Sequence, residues 1–300
     1  MATDGSEQTD TRSFLSEVQL GGLNLELLST AGPVFALETL MFVVPLLIMF
    51  GIGFMEMVNF QLVSKFTVQH YVDVFTYYPN QVAIYNTLTT AVLVTLATII
   101  IAYPIAYWIA RRGGSHKNQL VMLLIVPFWT NYVIRTYGWS IVLSKQGPFN
   151  QLLQFIGVIN DPIGWWLSTK FAIWLGLTYL WLPFMILPLY AALESIDQSL
   201  IEAAYDLGAS RYAVFRRVIL PLSMPGLTAG IIFVFIFSVG AFIVPNILGG
   251  GIPFLGSRIS FAFGSGGNWP AGAALSSVVM IFVAIVLGIL MRYADMEAIA

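Results

Sequence analysis

Six stretches of apolar residues, each about as long as a membrane-spanning helix, alternate with polar connections along the chain. They cover residues 35–55, 83–109, 119–143, 170–192, 224–248 and 271–292. A helix needs about 20 mostly apolar residues to cross the hydrocarbon, because lipid cannot hydrogen-bond an exposed backbone. The pattern therefore predicts an all-α membrane protein, a polytopic bundle of about six transmembrane helices surrounded by membrane lipid.

The composition strengthens this prediction and narrows the chemistry. Of the 300 residues, 58% are hydrophobic and 9% are charged, and the mean hydropathy is +0.83. Such a chain cannot expose most of its surface to water. It has no cysteine, no phosphate-binding glycine loop and no grouped catalytic residues or metal ligands. We therefore expect no enzyme activity, no cofactor or metal in this chain, and no nucleic-acid partner.

The distribution of basic residues predicts the orientation of the bundle. The 110–118 and 193–222 connections together carry six of them, namely Arg111, Arg112, Lys117, Arg211, Arg216 and Arg217. The alternate connections carry four, namely Lys65, Lys145, Lys170 and Arg258. Because basic residues collect on the cytoplasmic side, the first two connections are predicted to be cytoplasmic. Both termini then lie there too, as an N-terminal segment (1–34) and a tail (294–300) flanking one transmembrane domain (35–293).

The 193–222 connection has the signals of two short helices around a glycine. Ser199 and Glu202 match the S-x-x-E capping box, and Gly208 suits the left-handed position that ends a helix. Ile201, Ala204, Tyr205 and Gly208 would form one narrow face of this first helix. Ser210 is then predicted to cap a second helix over 211–219, which Pro221 terminates before the next span.

The same connection resembles the EAA motif of binding-protein-dependent ABC importer permeases. That motif is Glu-Ala-Ala, three residues, Gly, nine residues, Ile-x-Leu-Pro. The matching residues are Glu202, Ala203, Ala204, Gly208, Val218, Leu220 and Pro221, with Val218 in place of isoleucine. The resemblance implies that this helix docks in a cleft of a cytoplasmic ATPase and transmits its closure to the membrane helices.

Residues 123–139, 182–197 and 268–274 resemble one branch of that family, the PotB-type permeases of spermidine/putrescine importers. This resemblance implies a bacterial inner-membrane subunit whose pathway carries polyamines. Its implied partners are a second homologous permease, two cytoplasmic ATPase subunits that hydrolyse ATP, and a periplasmic substrate-binding protein.

Candidate pathway residues are the aromatic and charged side chains at membrane depth, because carboxylates and ring faces stabilise ammonium groups. They are Glu38, Trp129, Tyr132, Arg135, Tyr137, Tyr179 and Trp181. Ordinary aromatic packing is the competing interpretation of the rings. For Arg135 the alternatives are a place on the pathway or a structural tie to carbonyls or to an acid elsewhere, since its charge repels a cationic substrate.

Three other functions remain open at this point. An ABC permease for a different small organic solute would share the same motif. An ion-coupled secondary transporter should show intramembrane acids or inverted repeats, and neither is evident. A membrane scaffold would leave the motif without a role.

Overall fold

The computed structural model describes residues 32–299, with side chains described as far as residue 292. The predicted N-terminal segment thus lies almost entirely outside the described residues. The regular elements are α1 (Gly32–Ile52), β1 (Glu56–Val58), β2 (Gln61–Val63), α2 (Gln69–Thr76), α3 (Tyr78–Arg112), α4 (Lys117–Ile125), α5 (Tyr132–Val142), α6 (Pro148–Phe155), α7 (Lys170–Ser195), α8 (Gln198–Asp206), α9 (Arg211–Val214), α10 (Leu220–Val239), α11 (Ile243–Leu248), α12 (Leu255–Phe263) and α13 (Trp269–Ile299).

The helices confirm the predicted all-helical bundle. Five stretches are long and apolar enough to cross a membrane, namely Gly32–Ile52, Tyr78–Arg112, Lys170–Ser195, Arg211–Val239 and Trp269–Arg292. A bent pair, Gly114–Trp129 with Tyr132–Val142, supplies a sixth crossing if it counts as one span. Internal contacts divide the chain between residues 49 and 50, so α1 up to that point is described apart from the rest.

The predicted span over 119–143 is sharply bent. The two halves of this span meet at an angle of 88°. A 3₁₀ turn (Val126–Trp129) that includes Pro127 ends the first half, and Thr130 is extended. The side chain of Asn131 then accepts a hydrogen bond from the N–H of Val133 at 2.8 Å and starts a new helix. A polar cap at membrane depth thus replaces the helical bonds that the break removes.

The predicted bounds of the fifth span, 224–248, are wrong at both ends. The helical stretch begins at Arg211 and ends at Val239. Its end is sharp because the N–H of Ala241 bonds to the carbonyl of Ser238, three residues back, at 3.3 Å. Pro245 has no N–H to offer to the carbonyl of Ala241. Residues 243–248 accordingly form the separate short helix α11.

The core is built where α7 packs between α3 and α10. Buried apolar side chains follow α7 along its length, including Leu177, Ile186 and Leu193. Glycine brings α10 close to α7: a Cβ added to Gly226 would lie 2.4 Å from the carbonyl oxygen of Pro188. Small residues allow such an approach, which gives dispersion contacts where lipid supplies no hydrophobic driving force between helices.

Buried polar residues of α3 tie the neighbouring elements to it. The Asn86 amide donates to the carbonyl of Pro253 at 2.9 Å, and the hydroxyl of Thr87 accepts from the N–H of Leu255 at 2.9 Å. The indole N–H of Trp174 donates to the hydroxyl of Thr90 at 3.0 Å. These bonds satisfy groups that would otherwise be unpaired in the low-dielectric interior.

The packing at Gly226 gives a direct test of this core. Gly226→Ala places a methyl group against the backbone of α7, and we expect the overpacking to cost about 1–3 kcal/mol. Gly288→Ala is the control, because nothing lies within 4 Å of a Cβ at Gly288 and alanine favours a helix by about 1 kcal/mol. Thermal unfolding in detergent should show a lower Tm for the first variant only. Equal Tm values would show that α7 and α10 are not packed this closely.

Candidate functional site

The 193–222 connection is anchored to the bundle at its start. The two terminal nitrogens of Arg111, at the end of α3, both donate to the carbonyl of Ile196 at 3.2 Å. Lys117, at the start of α4, forms an ion pair of 3.4 Å with Glu194, at the end of α7. The first residues of the connection are therefore held to two other helices by charge-assisted contacts.

Asp197, rather than Ser199, caps α8, so the predicted capping box is wrong. Asp197 has extended backbone, and its carboxylate accepts from the N–H of Ser199 at 2.9 Å. The helix begins two residues earlier than the Ser-x-x-Glu pattern requires, because the carboxylate occupies the capping position first. Glu202 is thereby left exposed on the helix instead of folding back onto its start.

The hydrogen bond from Ser199 lowers the pKa of the Asp197 carboxyl below its ordinary value. A carboxyl group with a lower pKa in the folded state stabilises the fold above its unfolded pKa. This stabilisation is lost only as the pH falls through the lowered folded-state pKa. The cap is therefore fully charged near neutral pH, where it also complements the positive end of the α8 dipole.

The faces of α8 differ from the predicted one. Ile201 is buried and Ala204 is half-buried, so these two side chains hold the helix against its own chain. Tyr205 and Gly208, which were expected on the same face, are exposed. The outward surface carries Glu202, Ala203 and Leu207, and Leu207 is 89% exposed.

The structure places Gly208 in the left-handed turn that ends α8, with φ of +80°. Its N–H bonds to the carbonyl of Tyr205 at 2.8 Å, and the N–H of Ala209 bonds to that of Ala204 at 3.1 Å. This pair of bonds is the Schellman motif, which satisfies the last carbonyls of the helix. The sequence-based assignment of Gly208 as the helix stop is thus confirmed.

The prediction that the second short helix ends at Pro221 is wrong. Ser210 does cap it, accepting from the N–H of Ala213 at 3.3 Å. A π-helical turn (Phe215–Ile219) then follows, in which the N–H of Leu220 reaches the carbonyl of Phe215, and α10 continues without interruption. Pro221 has no N–H to donate. It lies where the i→i−5 bonds of the π turn give way to the i→i−4 bonds of α10, so its missing donor costs the helix few hydrogen bonds.

The seven motif residues are not brought into one cluster. Glu202, Ala203 and Gly208 lie on or beside the exposed surface of α8, and Ala204 faces inward. Val218 packs against the buried core. Leu220 is half-buried and Pro221 is exposed at the base of α10. The motif therefore spans an exposed helix, its turn and the foot of a membrane helix.

Two of the candidate pathway residues share a cavity and the others do not. Tyr132 and Trp181 line a cavity of about 400 Å³ beside the break between α10 and α11. Trp129 lines a separate cavity of about 390 Å³, together with Glu194. Tyr179 packs edge-on against Trp139, with centroids 5.5 Å apart, while Tyr137 is exposed. Glu38 lies on α1, in the part of the chain that is described apart.

Arg135 lies with its guanidinium carbon 4.3 Å from the centroid of the Phe128 ring. Its Nε and Nη1 atoms are buried, and they have no hydrogen-bond partner among the described residues. A cation–π contact compensates a desolvated guanidinium only partly.

Comparison with known proteins gives the family. Residues 28–296 match the family described as binding-protein-dependent transport system inner membrane component. The chain belongs to this family. It is 42% identical over 203 residues to the spermidine/putrescine transport system permease protein PotB of Escherichia coli, covering 67% of this chain and 74% of that protein. It is 38% identical over 227 residues to PotB of Haemophilus influenzae, covering 75% and 79%.

A solved structure confirms the fold of this family member. A bacterial ABC transporter involved in the import of the acidic polysaccharide alginate has a chain that superposes with a TM-score of 0.66 at 18% identity, over 91% of this chain and 98% of that one. The chain is therefore an inner-membrane permease component of a transport system and not an enzyme. The alternatives of an ion-coupled secondary transporter and of a scaffold lose their support.

An aromatic cluster beside the cavity at Tyr132 and Trp181 was not predicted from the sequence. Phe237 stacks obliquely on Trp181 with centroids 5.2 Å apart, and Phe184 meets both of these rings. The signal in the sequence was the helical spacing of three between Trp181 and Phe184, and of four between Phe233 and Phe237. It is weak, because aromatic residues at this spacing are common in membrane helices.

The Asp197 cap can be tested by hydrogen exchange of the α8 amides. Asp197→Ala should lower the protection of these amides severalfold, because the first N–H groups of the helix lose their side-chain acceptor. Asp197→Asn should retain most of the protection, because an amide oxygen also accepts the bond. Ser199→Ala is the matched control and should change protection less than Asp197→Ala. If Ser199→Ala lowered protection more than Asp197→Ala, Ser199 would be the cap and the predicted capping box would be correct.

Proposed function

We propose that this permease forms, with a second homologous permease, the pathway through which an ATP-driven importer carries polyamines such as spermidine and putrescine. The observation that carries the proposal is the 38–42% identity to PotB permeases over two thirds to three quarters of the chain. The remaining components would be two cytoplasmic ATPase subunits and a periplasmic substrate-binding protein. In this arrangement the 193–222 connection and both termini face the cytoplasm, as the basic residues predict.

The outward surface of α8 supports a docking role toward the ATPase. Leu200, Ala203 and Leu207 follow helical spacing on an exposed face, and Glu202 lies next to them. Large exposed apolar side chains on a short helix outside the membrane indicate a protein partner, because water disfavours them. Glu202 would add a charge to the rim of that contact.

The bonds around α8 support its action as a rigid lever. Arg111 and Asp197 fix its start, and the Schellman turn at Gly208 fixes its end. After the turn, helical structure runs unbroken from Arg211 into the membrane span. Movement of α8 when the ATPases close would therefore be passed to the foot of α10, and the two permeases would exchange inward-facing and outward-facing states.

The aromatic lining of the cavity at Tyr132 and Trp181 suits an organic cation in transit. Tryptophan and tyrosine faces attract ammonium groups without binding them as tightly as a buried carboxylate would. Weak attraction favours passage, since a transported group must also leave. Trp129 and Tyr179 would extend this lining where the second permease completes the pathway.

Uptake by vesicles containing the complete system tests the substrate. We expect ATP-dependent accumulation of labelled spermidine or putrescine that unlabelled polyamines abolish and that amino acids in the same excess do not. If the assembled complex hydrolyses ATP but takes up no polyamine, the substrate assignment fails and a different small solute replaces it.

The turn at Gly208 tests the lever. Gly208→Val forces a β-branched residue to a positive φ at a cost of about 1–3 kcal/mol, and we expect uptake to fall by about fivefold or more. Gly157→Val is the matched control, since Gly157 has a similar φ of +74° and open space around it but lies in another connection. Comparable loss of uptake in both variants would indicate general strain and remove the special role of Gly208.

A further inference from the structure

Arg135 lies in the second half of the bent span and packs beside the middle of α7. Its guanidinium sits on the ring of Phe128, and that ring meets the ring of Phe184 with centroids 6.2 Å apart. Phe184 has 14 residues of α7 before it and 11 after it, since the helix is Lys170–Ser195. At about 1.5 Å per residue, it is about 21 Å from one end of the helix and about 17 Å from the other. The aromatic chain from Arg135 thus leads to the middle of a helix long enough to cross a membrane.

Within residues 50–292, Arg135 has no ion-pair partner. Among residues 32–292, the ion pairs are Lys65 with Glu56 and Lys117 with Glu194, and neither includes Arg135. Its Nε and Nη1 atoms are buried without a partner in the same part of the chain. A guanidinium at this depth is costly unless it faces water or an opposite charge.

The face of α5 beside Arg135 is apolar and open. Ile134, Tyr137 and Ile141 are 69%, 56% and 64% exposed. Their spacing of three and four residues puts them in one stripe of the helix. Arg135 follows Ile134 directly in the same helix and is itself half-buried. Apolar contact around a single charge is the pattern of a helix–helix interface with one polar pair at its centre.

We propose that the second permease subunit packs on this stripe and that a carboxylate from one of its membrane helices pairs with Arg135. The inference rests on the proposed function, which supplies the second permease. Charge complementarity selects the occupant: a polyamine would be repelled by the guanidinium, and lipid tails cannot solvate it. An aspartate or glutamate of the second permease at the same depth would pair with Arg135. Without this pair, each subunit would bury its charge alone.

Charge reversal in the complete system tests the pair. Arg135→Glu should lower recovery of the second permease with the tagged chain by about tenfold or more, because two carboxylates then face each other. Each membrane carboxylate of the second permease is next changed to lysine in that background. One of these changes should restore more than half of the recovery and of the uptake. Lys145→Glu is the control, since it makes the same change of charge at an exposed position in the connection that follows α5.

Cross-linking tests the stripe independently of the charge. The chain has no cysteine, so Ile134→Cys introduces its single thiol. We expect it to cross-link to a cysteine placed in a membrane helix of the second permease. Ile285→Cys on α13 is the matched control, because Ile285 is similarly exposed at 57%. Equal yields from both positions would overturn the assignment of the stripe.

The remaining outcomes separate this pair from the proposed function. If Arg135→Met assembles fully but transports poorly, the guanidinium faces the water of the pathway and the pair does not exist. If Arg135→Glu assembles and transports like the unchanged chain, the pair is likewise refuted, while the polyamine assignment stands. If the unchanged chain does not assemble with a second permease at all, the proposed heterodimer fails together with the pair. Arg135→Lys keeps the positive charge. Normal recovery of the second permease with this variant would show that a change at residue 135 does not by itself unfold the chain.

Discussion

Lipid offers no hydrogen bonds, so every backbone N–H and C=O at membrane depth must find its partner within protein or in an enclosed cavity. The long helices of this permease meet the requirement by their own bonds. Among residues 32–299, the helical pattern of the predicted spans fails at Thr130–Asn131 and at Gly240–Phe242. Both lie beside the cavity lined by Tyr132 and Trp181. Irregular backbone at this depth is stable only against protein or water, so the breaks mark where a pathway can run.

The membrane core and the 193–222 connection are held together in different ways. α7 is held to α10 through glycine contacts and to α3 through buried side chains, which leaves little room for independent movement. α8, in contrast, is attached by a few bonds at its two ends and by Ile201 on one face. A helix fixed in this way keeps its shape when pushed, and the push passes to the elements that hold its ends. Rigid transmission requires firm ends more than an extensive buried face.

The number of spans and the Gly208 turn could be predicted from the sequence because each depends on local chemistry. Twenty apolar residues define a span, and a glycine after a helix defines a left-handed stop. The break at Asn131 could not be predicted in this way, since 119–143 has the length and mean composition of a single span and the decisive hydrogen bond comes from one side chain. Asp197 and Ser199 were both good caps, and the choice between them depends on where α7 ends. Pro221 was misjudged because a π turn accommodates it, and no periodicity shows such a turn.

Some residues could be singled out from the sequence, but their surroundings could not be predicted, because their side chains lack contacts within the described chain. Trp129, Tyr137 and Leu207 are exposed, and two buried nitrogens of Arg135 have no hydrogen-bond partner among the described residues. A soluble monomer with this surface would aggregate, and a membrane monomer would bury an uncompensated charge. Selection on an obligate subunit acts on the assembled complex, so its stability is shared among chains. In the proposed assembly, these positions are the ones where partner subunits would supply the missing contacts.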